Sequence, residues 1–180
     1  GTKRTCCVGI NNRKAARIAG RLMGQFLGGT GKIAVVSSAI ASENNNYYVQ
    51  VRETEFADFI HKEYPDIEII TTLDSFEDPQ ITYEKTVKLL RDYQDLQGIY
   101  ITCGGVSQVG RALEESGRAK DIRVISFEDY PEVVDLIRKD VIDCTLAGEL
   151  QQQGEIPVQI IMDYLVFGKE PEQQQIFTDI

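Results

Sequence analysis

Gly98-Ile99-Tyr100-Ile101-Thr102-Cys103-Gly104-Gly105-Val106 decides the fold. A short apolar run rich in β-forming residues ends in a polar residue and two glycines, and from Val106 to Ser116 the apolar period becomes helical. That is strand, turn, helix, and a strand apolar on both faces is one covered on both faces in a parallel sheet. Outward from it the same switch recurs. Strands are predicted at Lys32–Ser37, Ile67–Thr71, Gly98–Thr102, Ile122–Phe127 and Val141–Leu146, with a further short one at Gln175–Thr178. Helices are predicted over Asn12–Leu27, Tyr47–Tyr64, Pro79–Tyr93, Val106–Ser116, Pro131–Lys139 and Gln151–Phe167. In the second, Val49, Phe56, Phe59, Ile60 and Tyr64 share a face. Gly28-Gly29, Gly117 and Gly168 follow helices, and Pro79 and Pro131 stand in first turns. Repeated βα units of this kind build a three-layer α/β/α, flavodoxin-like parallel sheet.

The 180 residues suit one domain, and no linker or shift of composition divides them. With 42% hydrophobic residues, 26% charged and five prolines, the chain is globular rather than disordered or fibrous. No apolar run reaches the roughly 18–20 residues of a bilayer span. Nineteen Lys and Arg against 28 Asp and Glu leave a net charge of −9, which repels a phosphate backbone, so this stretch is not expected to touch nucleic acid. Lys3 and Arg4 precede no apolar signal segment, which leaves a cytoplasmic chain or a missing upstream segment. Cys6, Cys7, Cys103 and Cys144 have neither disulfide-framework nor metal-knuckle spacing and read as buried thiols of a reducing compartment.

Gly28-Gly29-Thr30-Gly31-Lys32 looks like a phosphate loop, but it ends a helix and precedes a strand, and Ile33 stands where Ser or Thr belongs. The single histidine, His61, lies near a helix end, so a nucleophile pair requires the fold to bring it to Cys103 or a serine. Acidic residues are scattered over helix faces, and no metal or cofactor is expected. Ligands of open α/β sheets bind at the carboxyl ends of the strands. That edge selects Cys103-Gly104-Gly105, the polar loop holding Asn44, Asn45 and Asn46, Tyr48 and Arg52 on the first turns of the next helix, the segment from Leu73 to Phe76, and Glu128-Asp129. Each has a bland alternative: a tight turn for Gly104, a surface arginine for Arg52, core packing for Phe76 and a helix cap for Glu128.

Val8-Gly9-Ile10-Asn11-Asn12 with Ala15-Ala16-Arg17, Gly31-Lys32-Ile33-Ala34-Val35-Val36, Arg52-Glu53-Thr54-Glu55-Phe56, Asp74-Ser75-Phe76 and Ser126-Phe127-Glu128-Asp129 together carry a resemblance. The chain resembles the ligand-binding domain of LacI/GalR-type transcriptional regulators and the related periplasmic sugar-binding proteins, over the C-terminal two-thirds of that domain. The resemblance implies a non-catalytic site in which Arg52 contacts the ligand, Phe76 stacks on it and Glu128 binds it. Gly104 and Gly148 stand at two further ligand positions. The departures are Asn11 for Asp, Glu55 for Gly, Gly104-Gly105 for Asn-Asp, Glu128 for Asp, and Cys144-Thr145-Leu146-Ala147-Gly148-Glu149 where a Gln-Pro usually follows the strand.

The leading expectation is the effector-sensing domain of a cytoplasmic LacI-type repressor. It would bind a small molecule, a carbohydrate above all, as a homodimer, with DNA held by a helix-turn-helix upstream. The alternative is the sugar-binding protein of an ABC transporter. A flavodoxin-like α/β enzyme comes third, since fold alone does not fix function. The family places the helix at 151–167 in the other lobe. It is expected to cover its apolar stripe on a neighbouring molecule or on a sheet edge.

Overall fold

The computed structural model describes residues 5–38 and 47–180, so Asn44, Asn45 and Asn46 lie outside the described residues. In chain order the elements are β1 (Cys7–Ile10), α1 (Asn12–Phe26), β2 (Thr30–Ser37), α2 (Tyr47–Glu63), β3 (Asp66–Asp74), α3 (Pro79–Asp92), β4 (Leu96–Ile101), α4 (Val106–Ser116), β5 (Arg123–Phe127), α5 (Pro131–Arg138), β6 (Cys144–Leu146), α6 (Leu150–Phe167) and β7 (Gln175–Thr178). Every predicted strand and helix is present, and β1 is an addition. The strand predicted over Val141–Leu146 shortens to Cys144–Leu146, because Val141 and Ile142 enter the core from the bend after α5, where Val141 N donates to Leu136 O at 3.0 Å.

Sequence composition gives no division of the chain, yet packing forms two compact units, since tertiary contacts can join segments far apart in sequence. The large unit is Asn12–Leu146; the small one joins the described residues up to Asn11 with Ala147–Ile180.

In the large unit five parallel strands lie in the order β3-β2-β4-β5-β6, the doubly wound flavodoxin-like arrangement. Ala34, Val36, Ile99, Ile101 and Val124 form a core with Leu89 and Leu90 of α3, Val109 and Leu113 of α4 and Leu136 of α5. Alternate strand residues point to the opposite face. There Tyr100, wholly buried, stacks on Phe56 of α2 with ring centres 4.2 Å apart. The helices on that face, α1 and α2, approach closely through glycines. A Cβ on Gly20 would lie 2.7 Å from the Phe59 ring, and one on Gly24 would collide with Tyr64. Leu27 N donates to Met23 O and Gly29 N to Gly24 O, so the glycine run after α1 is a helix stop leading into a strand.

The start of α3 is built locally. Asp78 is its N-cap, accepting from Ile81 N at 2.8 Å, with Pro79 in the first turn. Asp78→Ala is expected to cost about 1 kcal/mol of stability, read from the urea midpoint. A shift no larger than that of an exposed control such as Gln80→Ala would mean that the cap contributes nothing.

In the small unit β1 pairs in parallel with β7, Cys7 opposite Gln175, and α6 lies against β1. No residue of α6 is buried; Leu150, Val158, Leu165 and Phe167 are all more than 60% exposed. The expected stripe is only partly covered: Ile156 and Ile160 are half-buried, while Ile161, Tyr164 and Leu165 are exposed. Of the four cysteines only Cys103 is buried. Cys6, Cys7 and Cys144 are half-buried, because they occupy or adjoin the edge strands β1 and β6, which corrects the expectation of four buried thiols.

Candidate functional site

Sheet order reverses at β2, with β3 on one side and β4 on the other, so the chain leaving the C-terminal ends of β2 and β4 turns to opposite faces and opens a crevice. Ser38 follows β2, Ser75 to Glu77 follow β3, Thr102 to Gly105 follow β4 and Glu128 follows β5.

Arg52, in the second turn of α2, points inward. Its Nε donates to Asn12 Oδ1 at 2.7 Å, and its Nη1 donates to the Thr102 carbonyl at 3.0 Å. The guanidinium carbon lies 3.5 Å from the centre of the buried Phe127 ring. Among the described residues Nη2 has no acceptor, so both of its N–H groups remain available to a ligand. Burial lowers the Arg52 pKa from the ordinary arginine value, while Tyr100, Glu128 and Cys103 act in the opposite direction. The alternative of a surface arginine is thereby removed.

Three non-glycine residues at this edge hold left-handed backbone: Phe76 at φ 53°, Glu77 at 55° and Glu128 at 77°. Such conformations cost about 1–3 kcal/mol each and persist where neighbours over-determine them. Here they do. Ser75 N donates to Ser37 O at 2.7 Å, Phe76 N to Asp74 Oδ1 at 3.0 Å and Glu77 N to Ser75 Oγ at 3.2 Å. Glu128 N donates to Leu146 O at 2.7 Å, and its carbonyl accepts from Thr145 Oγ1 at 2.5 Å.

The bent turn turns Phe76 out of the core: the residue is 53% exposed, with Lys85 Nζ 4.5 Å from the ring centre. With about half of its surface open, the Phe76 ring is not packed in the sheet core, which overturns the core-packing alternative. Glu128 does not cap α5 either. Tyr130 is the N-cap there, without a side-chain bond. Beneath the edge, Ser75 Oγ and the buried Cys103 Sγ are 3.3 Å apart, and Ser38 Oγ donates to Glu77 Oε1 at 3.0 Å. Burial pushes the Cys103 thiol pKa up, away from the thiolate that nucleophilic chemistry needs.

Gly104 is exposed, and a Cβ there would meet nothing within 4 Å, so its lack of a side chain leaves open space. Its neighbour Gly105 is required by the backbone, with φ 96° and Thr82 Cγ2 only 2.8 Å from an added Cβ. Tyr48 sits at the N-terminal end of α2, 44% exposed and edge-on to Tyr47. Gly148 belongs to the small unit, where a Cβ would collide with Ile10; packing explains that glycine. Arg52, Phe76, Glu128 and Gly104 thus share the strand-end edge of the large unit. His61 is exposed near the end of α2. Among the described residues no group of three or more His, Cys, Asp or Glu is arranged to hold a metal ion, and no helix is long and apolar enough to cross a membrane.

Residues 1–170 match the model of the periplasmic binding protein domain. The chain belongs to that family. Its fold is similar to GanP, a glucose-galactose binding protein from Geobacillus stearothermophilus, at 23% identity and a TM-score of 0.87, covering 99% of this chain and 61% of that one. AraP, an arabinose binding protein from the same organism, gives 24% identity and 0.85, covering 98% and 61%. A sugar-binding protein of a sugar ABC transporter from Bacillus halodurans gives 27% and 0.86, covering 97% and 62%. The chain therefore spans about three fifths of the length of these structures. No curated protein matches it. The family is the broad one that the resemblance implied, and the narrower regulator is not what the match names.

For a periplasmic-binding-protein domain, residues unreadable as site members from sequence are Asn12, Thr102 and Phe127, which hold Arg52. Asn12 and Phe127 lie within the quoted resembling segments, but nothing local in the sequence ties either to Arg52. The departure at Glu55 is also accounted for. Its carboxylate, with a side chain only 11% exposed, accepts from Arg17 at 3.0 Å and from Arg13, joining α2 to α1.

Proposed function

We propose that this domain binds a sugar without catalysis, as part of the solute-binding protein of a sugar transporter, and that the strand-end edge of the large unit is one wall of the cleft. The observation that carries this is Arg52: two of its nitrogens donate to protein oxygens, one face lies on Phe127, and Nη2 is left for ligand oxygen. A fixed guanidinium, the Glu128 carboxylate and the outward Phe76 ring suit a molecule with hydroxyls at its rim and an apolar face. Support comes from the named neighbours, which are proteins for glucose and galactose, for arabinose and for an unspecified sugar. Gly104 in place of a side chain leaves more of the recognition on this wall to Arg52 and Glu128.

The transporter reading is preferred to the repressor because the Bacillus halodurans neighbour is named as the sugar-binding protein of an ABC transporter. The repressor, with its DNA-binding head, homodimer and cytoplasmic location, rests on resemblance alone. Titration calorimetry of the full-length protein with D-glucose, D-galactose, D-arabinose and D-fucose tests the proposal. Saturable binding of one of them at micromolar or tighter Kd is expected. No heat from any at millimolar concentration would overturn it.

A further inference from the structure

We infer that Asn12 is a positioning residue for the ligand site, setting the plane and aim of the Arg52 guanidinium. Arginine reaches its target through a long flexible stem, and only a fixed fork gives directional recognition. Three walls fix it here. Thr102 O takes Nη1, Phe127 supports one face, and Asn12 Oδ1 takes Nε at 2.7 Å. Asn12 is the sole side-chain acceptor of the three. It is 9% exposed at the first position of α1, 40 residues before Arg52.

The contact is held by the two helices that carry it. Close approach of Gly20 to Phe59 and of Gly24 to Tyr64 sets the separation of α1 and α2. Glu55, one turn beyond Arg52, pairs with Arg13 and Arg17, which follow Asn12 on α1. Helix packing and an ion pair thus bracket the Asn12–Arg52 bond, so that Nη2 is held in one direction before ligand arrives. Such preorganisation saves the ordering cost of binding.

The test begins with a readout independent of any ligand. In protein labelled with ¹⁵N-arginine, the Arg52 Nε–H resonance, assigned by its loss in Arg52→Lys, is expected to exchange slowly with water. Asn12→Ala should raise that exchange at least tenfold while the melting curve stays cooperative, and Asn12→Asp, which keeps an acceptor oxygen, should restore protection. If Asn12→Ala does not fold, Asn12→Ser, with its shorter side chain, takes its place. Unchanged exchange in the folded variant, or no rescue by Asn12→Asp, overturns the inference.

The consequence for ligand rests on the sugar-cleft reading above. For whichever of D-glucose, D-galactose or D-arabinose binds the wild type, Asn12→Ala should raise Kd about tenfold, the size of one charge-assisted hydrogen bond. Unchanged Kd, with Nε exchange accelerated, refutes the positioning role at the ligand. If no sugar binds the wild type, the proposed function fails, and the exchange measurement still decides whether Asn12 holds Arg52.

Discussion

Arg52→Ala in the full-length protein weakens sugar binding by about 1–3 kcal/mol, or roughly 5- to 150-fold in Kd, the range for a lost hydrogen bond to a charged group. The expectation follows from Nη2, whose two N–H groups have no acceptor among the described residues while Nε and Nη1 are engaged. The same substitution leaves Asn12 Oδ1 and the Thr102 carbonyl without this donor and uncovers one face of Phe127. Stability should therefore fall as well, by about 1–3 kcal/mol. Calorimetry and urea unfolding separate the two losses. Arg52→Lys distinguishes charge from geometry, since lysine keeps the cation but has no planar fork. Affinity unchanged in Arg52→Ala would remove Arg52 from the site.

Phe56→Ala costs about 3–5 kcal/mol, because a wholly buried ring is replaced by a cavity that its neighbours fill only in part. Its stack on Tyr100, ring centres 4.2 Å apart at 27°, adds a contribution beyond area alone. Against a typical total of about 5–15 kcal/mol, that is a large share of stability. Phe56→Leu, closer in volume, should cost less than about 1.5 kcal/mol. A Phe56→Ala loss below 1 kcal/mol in urea unfolding would contradict the packing of α2 on β4.

What the sequence discloses depends on how local its cause is. Strands such as Gly98–Thr102 are legible because burial on both faces leaves an apolar run, and α3 because Asp78 and Pro79 mark its start. The strand β1 is not legible: it has four residues, one of them glycine, and its partner lies at the far end of the chain. Arg52 illustrates the limit at the site. Spacing places it on a helix after a strand, but its direction is set by Asn12, Thr102 and Phe127, on three other elements or their ends. The left-handed backbone of Glu128 is likewise fixed by bonds to the distant Leu146 and Thr145, whereas Phe76 and Glu77 are held by the side chains of Asp74 and Ser75 two residues before them. Glu55 looks like a lost glycine until Arg13 and Arg17 are found beside it.

The pairing of β1 with β7 also sets a timetable for synthesis. Cys7 emerges from the ribosome about 170 residues ahead of Gln175, which at roughly 5–20 residues per second is on the order of ten to thirty seconds. Throughout that interval β1 lacks β7, whereas the five strands of the large unit have all been made once Leu146 is complete. β1 thus waits for a partner that the five-stranded sheet does not supply. Until Gln175 is made, the backbone groups of Cys7–Ile10 that β7 takes up are open to other strand edges.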